Sequence, residues 1–134
     1  MSQTPIVKDL ESVFILIFKT GSPLPPSEKQ LCYDSYTKEL VVADLFNRTA
    51  KKSNFSDSDE NELKKKIIDN DIFSTKRTYY TNKMDQGSRR ILIILDGKFH
   101  TVDIDVYDPK VTDSDIPKGL SNLLQILDNM IPSK

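Results

Sequence analysis

Few residues in this chain are of the types that do chemistry. One histidine, His100, and one cysteine, Cys32, stand among 20 acidic and 19 basic side chains. Zinc takes three or four ligands, most often histidine or cysteine, and one of each does not supply such a site. His100 would need a nucleophile and an orienting acid to serve as a general base. It lies within an alternating run after a tight turn, and no nucleophile-elbow motif accompanies it, so it reads as an ordinary sheet histidine. Cys32 sits in an apolar–polar alternation and reads as a strand residue rather than a reactive thiol. Being alone, it cannot form an internal disulfide.

The acidic series Asp103, Asp105, Asp108, Asp113 and Asp115 raises the question of calcium. EF-hand spacing fails, with no glycine at the sixth loop position and no glutamate at the twelfth. Strand alternation accounts for Asp103 and Asp105, and helix capping for Asp113, Ser114 or Asp115. Neither glycine-rich phosphate-binding motif is present. Lys64-Lys65-Lys66 is the one basic cluster, and within a helix it reads as a solvated face. With a net charge of −1, nucleic acid is not an expected partner. Asn47-Arg48-Thr49 and Asn54-Phe55-Ser56 match the glycosylation sequon, which carries meaning only behind a secretory leader. No catalytic residue, metal or cofactor is expected, and the chain reads as a binding protein rather than an enzyme.

One segment asks for a functional reading. Lys19-Thr20-Gly21-Ser22-Pro23-Leu24-Pro25-Pro26 holds three prolines, which fix φ and remove amide donors. It is expected to be a stiffened loop that cannot join a central sheet. A pre-ordered loop loses less entropy on binding, and Leu24 could anchor it in a partner's cleft. A rigid connector between strands is the other reading of the same residues.

The elements around it follow from periodicity. Residues 1–11 read as a loose arm and 12–134 as one domain. Val13 to Phe18 is β-branched and aromatic, and reads as a strand buried on both faces. Leu31–Asp34 and Glu39–Asp44 suggest a hairpin, and Asn47 to Asn54 a polar loop. Ser56 or Asp57 can cap a helix, with Asp59 or Glu60 completing a capping box. Leu63, Ile67, Ile68 and Ile72 would form its inward stripe, with Phe73 anchoring the far end. Thr75 to Ser88 shows no apolar period and reads as a long connection. Ile91–Leu95, Asp96-Gly97 and Phe99–Ile104 spell a hairpin with a type I′ turn. Ile116-Pro117 opens a last amphipathic helix through Leu120, Leu123, Leu124, Leu127, Met130 and Ile131. The expected fold is α+β, a mainly antiparallel sheet of four to five strands packed by two helices.

At 134 residues such a chain buries roughly two-thirds of its unfolded surface, enough for a core without staples. Its longest apolar run, Val13–Phe18, is far shorter than the roughly 20 residues of a membrane-spanning helix. Asp9 and Glu11 precede that run and no small-residue cleavage site follows, so a cytoplasmic, monomeric protein is expected.

In its order of pieces the chain resembles the emfourin family, small protein inhibitors associated with protealysin and other thermolysin-like metalloproteases. The likeness runs through Phe18-Lys19-Thr20-Gly21, the helix from Ser58-Asp59-Glu60 to Asn70-Asp71-Ile72-Phe73, the hairpin Leu92–Val102, and Ile116-Pro117 with Leu120, Leu123 and Leu124. It spans residues 12–131. The family's first loop usually carries a double glycine and a further glycine, where this chain reads Thr20-Gly21-Ser22-Pro23-Leu24-Pro25. The resemblance implies a proteinaceous inhibitor whose Thr20–Pro26 loop lies across the cleft of a zinc metalloprotease. The protease would supply the metal, and the prolines would hinder cleavage. The alternative is a binding or assembly module with no protease connection, using the Asp103–Asp115 edge or the Thr75–Arg90 stretch with Tyr79 and Tyr80.

Overall fold

A computed structural model describes residues 13–23, 26–81, 87–106 and 115–131. The N-terminal arm, Leu24, Pro25, Asp108, Asp113 and Ser114 lie outside the described residues. In chain order the elements are β1 (Ile15–Pro23), β2 (Pro26–Asp34), β3 (Glu39–Asp44), β4 (Thr49–Asn54), α1 (Asp57–Asp69), a 3-10 turn (Ile72–Ser74), β5 (Thr78–Tyr79), β6 (Ser88–Leu95), β7 (Lys98–Ile104) and α2 (Lys118–Met130). The strands form one sheet in the order β4-β3-β2-β1-β6-β7-β5. All neighbours are antiparallel except β5 and β7, which run parallel. The fold is α+β, as expected, but with seven strands instead of four to five.

The two additional strands fall where no period is legible. Asn47 to Asn54 was expected as a loop, yet Thr49–Asn54 pairs along β3 as an edge strand exposed at every residue. A strand that buries neither face has no apolar alternation to read, and lysines such as Lys51 and Lys52 suit an edge that must not recruit another strand. Inside the expected Thr75–Ser88 connection, Thr78 and Tyr79 pair with Asp103 and Ile104. Two residues are too few for a period.

One face of the sheet carries the core. Leu16 and Phe18 point inward on the central strand, as does Phe14 just ahead of it, with Leu31 and Tyr33 on one side and Ile91 and Ile93 on the other. α1 covers this face with Leu63 and Ile67, and α2 with Leu120, Leu123, Leu124 and Leu127. Ile15 and Ile17 point to the opposite face and are only half-buried. The first strand is therefore sealed on one face, not on both.

α1 starts as its sequence indicates. The Ser56 hydroxyl accepts from the Asp59 amide at 3.0 Å, and the Asp59 carboxylate accepts from the Ser56 amide at 3.3 Å. Its stripe differs from expectation, because Ile68 is 57% exposed. Ile68 stands about 100° around the helix from Ile67, beyond the stripe's edge. Ile72 does reach the core, after Asp71 turns the chain with a left-handed φ of 54°. Asp96 and Gly97 take φ of 54° and 76°, both positive as the type I′ turn requires. α2 has no side-chain cap and follows Pro117, so Asp115 does not cap it.

Gly119 holds the two helices close. A Cβ there would overlap the carbonyl oxygen of Asn70, the residue that ends α1. Gly119→Ala is expected to lower stability by about 1–2 kcal/mol in urea denaturation, because α2 must move off α1.

Candidate functional site

Apart from Leu24 and Pro25, which lie outside the described residues, the proline-rich segment is a strand pair, not a loop. β1 lies between β2 and β6, so Lys19, Thr20 and Gly21 pair with Gln30, Lys29 and Glu28 on one side and with Arg90, Arg89 and Ser88 on the other. The β6 ladder stops at Ser88, and the β3 ladder stops where Asp44 meets Lys29. Ser22 opposite Ser27 and Pro23 opposite Pro26 carry the β1–β2 ribbon beyond both neighbours. Prolines are excluded from central ladders because they lack the N–H. Here Pro23 and Pro26 sit at the far end, where no third strand asks for one.

A notch marks the ribbon's base, bordered by Lys19, Glu28, Ser88 and Arg90. Gly21 leaves it open by having no side chain. Gly87, with a φ of 81°, packs so closely on the Gly21 carbonyl that a Cβ would overlap its oxygen. Lys19 lies 4.0 Å from Glu28, and Arg90 lies 3.5 Å from Asp103. These partly exposed pairs set a local charge pattern and add little stability. Lys19, Thr20 and Gly21 thus line the notch, while Ser22, Pro23 and Pro26 form the projecting ribbon.

His100 is placed for structure. Its Nε2 lies 2.8 Å from the Thr75 hydroxyl, and its ring packs on Phe73 with centroids 5.7 Å apart. Thr75 Oγ1 also donates to the Ile72 carbonyl at 2.6 Å. A hydroxyl has one proton to give, so the histidine nitrogen is the donor in their contact and does not activate the threonine. Burial, with the charge of Arg77, lowers the pKa of His100 and keeps the ring neutral.

Among the described residues the acidic series does not converge. Asp103 faces Arg90, while Asp105 accepts from the Thr81 amide at 2.6 Å and from the Thr81 hydroxyl. Asp105 lies just past β7 with a left-handed φ of 57°, outside the alternation assigned to it. Among the described residues no three histidine, cysteine or carboxylate side chains group to hold a metal. Tyr79, named for the alternative surface, is buried in the core. No described helix is long and apolar enough to cross a membrane.

A buried ionic cluster escaped the sequence reading. Glu60 is 6% exposed and accepts from the Tyr33 hydroxyl, from Lys38 Nζ at 2.9 Å and from Lys64 Nζ at 3.0 Å. Lys38 also reaches Asp57 at 3.0 Å. Burial pushes the Glu60 pKa up, but the bonds from Tyr33, Lys38 and Lys64 outweigh it and hold the carboxyl at about 2. Tyr33 is raised above the ordinary phenol range by burial and by Glu60. The signal was present, since Glu60 stands three residues before Leu63 on the inward stripe. The cluster ties α1 to β2 through the Tyr33–Glu60 bond and is braced by Lys38 and Lys64, which is structural work.

No protein-family model and no curated protein matches this chain. The likeness to the emfourin family rests on the order of elements.

Proposed function

We propose that this chain acts by binding another protein through the projecting end of the β1–β2 ribbon, and that the partner is a thermolysin-like metalloprotease whose cleft the ribbon blocks. The observation that carries the reading is the ladder itself. β1 and β2 stay paired to Pro23 and Pro26, two residue pairs beyond β6. A ribbon rooted in the central strand arrives pre-ordered, so little conformational entropy is lost when a partner closes on it. Prolines near the tip deprive a protease of amides to grip. The charged notch behind the ribbon, with Lys19, Glu28 and Arg90, would form the polar rim around such a contact.

The test is stoichiometric titration of thermolysin and related metalloproteases, with papain and a serine protease as controls. Metalloprotease activity alone is expected to fall. Leu24→Asp, in the two-residue link between the strands, is expected to weaken inhibition at least about tenfold while leaving the melting temperature unchanged, because a charge would replace the apolar anchor. Undiminished inhibition by that variant would remove the ribbon from the contact.

A further inference from the structure

The large apolar side chains that stay exposed are not spread evenly. Tyr36 and Phe99 lie at the end of the sheet where β1 begins, and Ile68 lies on α1. Leu45 and Phe46 lie together at the other end, in the turn between β3 and β4, and are 40% and 62% exposed. Single apolar residues scattered on a surface need no explanation, but this adjacent pair is held in place. The Leu45 amide donates to the Glu28 carbonyl at 2.8 Å, which fixes the turn against the base of the ribbon. The Asp44 carboxylate accepts from the Asn47 main-chain amide at 3.0 Å and from its side-chain amide at 2.9 Å. Arg48 then takes a left-handed φ of 58° on the way into β4. Asp44, Asn47 and Arg48 make the turn, and the side chains of Leu45 and Phe46 supply nothing that it requires. A turn held in this way presents its apolar pair at little cost in entropy.

The ribbon alone is too small for a stable contact. Beyond the β6 and β3 ladders it runs from Ser22 to Glu28, where Leu45 takes hold. A standard interface takes roughly 20–30 residues from each partner. A partner that closes on the ribbon must therefore also meet the surface at its base, and the two flanks differ. Beside β6 that surface is polar, with Ser88 and with Arg90 already facing Asp103. Beside β3 it is Leu45 and Phe46. Interface cores favour aromatic residues and leave charges to the rim. The last pair of the ribbon, Pro23 and Pro26, stands two residues past Gly21 and Glu28, or roughly 7 Å at the usual strand rise. A cleft deep enough to take the ribbon brings its rim down to the level of the turn. We propose that Phe46, supported by Leu45, is a second anchor of this contact, seated in an apolar depression on the rim of the metalloprotease cleft. This rests on the ribbon being the part that enters the cleft, and adds which flank the enzyme covers.

Titration of thermolysin with the full chain and its variants tests this. Phe46→Ser should raise the inhibition constant at least about tenfold with the melting temperature unchanged, because an aromatic anchor is lost from a turn that does not need it. Phe46→Leu keeps an apolar anchor and should recover most of that loss. Tyr36→Ser removes an equally exposed aromatic from the opposite end of the sheet and should leave the constant where it was. If Phe46→Ser does not fold, Phe46→Asn, a residue suited to turns, gives the same reading. A wild type that inhibits, matched by a Phe46→Ser form that inhibits equally well, would overturn the second anchor and leave the ribbon standing. Equal losses from Phe46→Ser and Tyr36→Ser would also overturn it, since position would then not matter. A wild type that leaves thermolysin fully active would overturn the anchor and the ribbon together.

Discussion

Glu60→Ala is expected to lower the free energy of unfolding by about 3 kcal/mol at neutral pH, measured by urea denaturation. The Tyr33 hydroxyl is buried and would lose its acceptor, while Lys38 and Lys64 are partly exposed and can turn to water. Lys38 keeps Asp57 in either case. Glu60→Gln retains an acceptor for Tyr33 and should cost somewhat less, what remains being the lost charge. The pH dependence separates the two effects. Glu60 has a folded pKa of about 2 against an ordinary 4.5, so the folded state favours the ionised form. Its contribution is complete above about pH 4.5 and is lost as the pH falls towards 2. Converted at 1.36 kcal/mol per unit, that window holds about 3 kcal/mol. The wild type should lose this much more stability across it than Glu60→Gln does. Parallel acid profiles for the two proteins would mean that the cluster does not hold the carboxyl ionised.

Gly87→Val is the second large effect, expected to cost about 3 kcal/mol and to weaken the proposed contact at the ribbon. Two independent penalties combine. The φ of 81° disfavours a β-branched residue, and the new Cβ would overlap the Gly21 carbonyl oxygen. That oxygen belongs to the central strand, held on both sides by Glu28 and Ser88, and has little room to yield. Gly21→Ala is the informative contrast. Its nearest obstacle is the Ser27 carbonyl at 3.3 Å, so a cost below about 1 kcal/mol is expected. If Gly87→Val melts with the wild type, the close approach of the two glycines does not hold the ribbon's base.

What the sequence disclosed was whatever repeats with a period. The Asp96-Gly97 turn, the Ser56 capping box and the leucines of α2 each follow from local rules, and the structure bears them out. The run from Val13 to Phe18, read as buried on both faces, buries only Phe14, Leu16 and Phe18. β4 and β5 were illegible for opposite reasons, one exposed throughout and the other two residues long. The proline-rich segment misled because the rule against proline in sheets concerns ladder hydrogen bonds. At a projecting tip that constraint lapses. Glu60's place on the inward stripe was legible, but its partners were not, because Tyr33 and Lys38 come from 27 and 22 residues away. Of the candidate site, the residue types were legible and their arrangement was not. The notch needs Arg90 and Ser88 from β6, and no local pattern ties them to Lys19.

The most direct measurement is the residual activity of thermolysin titrated with the wild-type chain and with Leu24→Asp, side by side. The account predicts a stoichiometric end point for the wild type, none for the variant within the same range, and no effect on papain or the serine protease. Full thermolysin activity at a large excess of wild-type chain would contradict it.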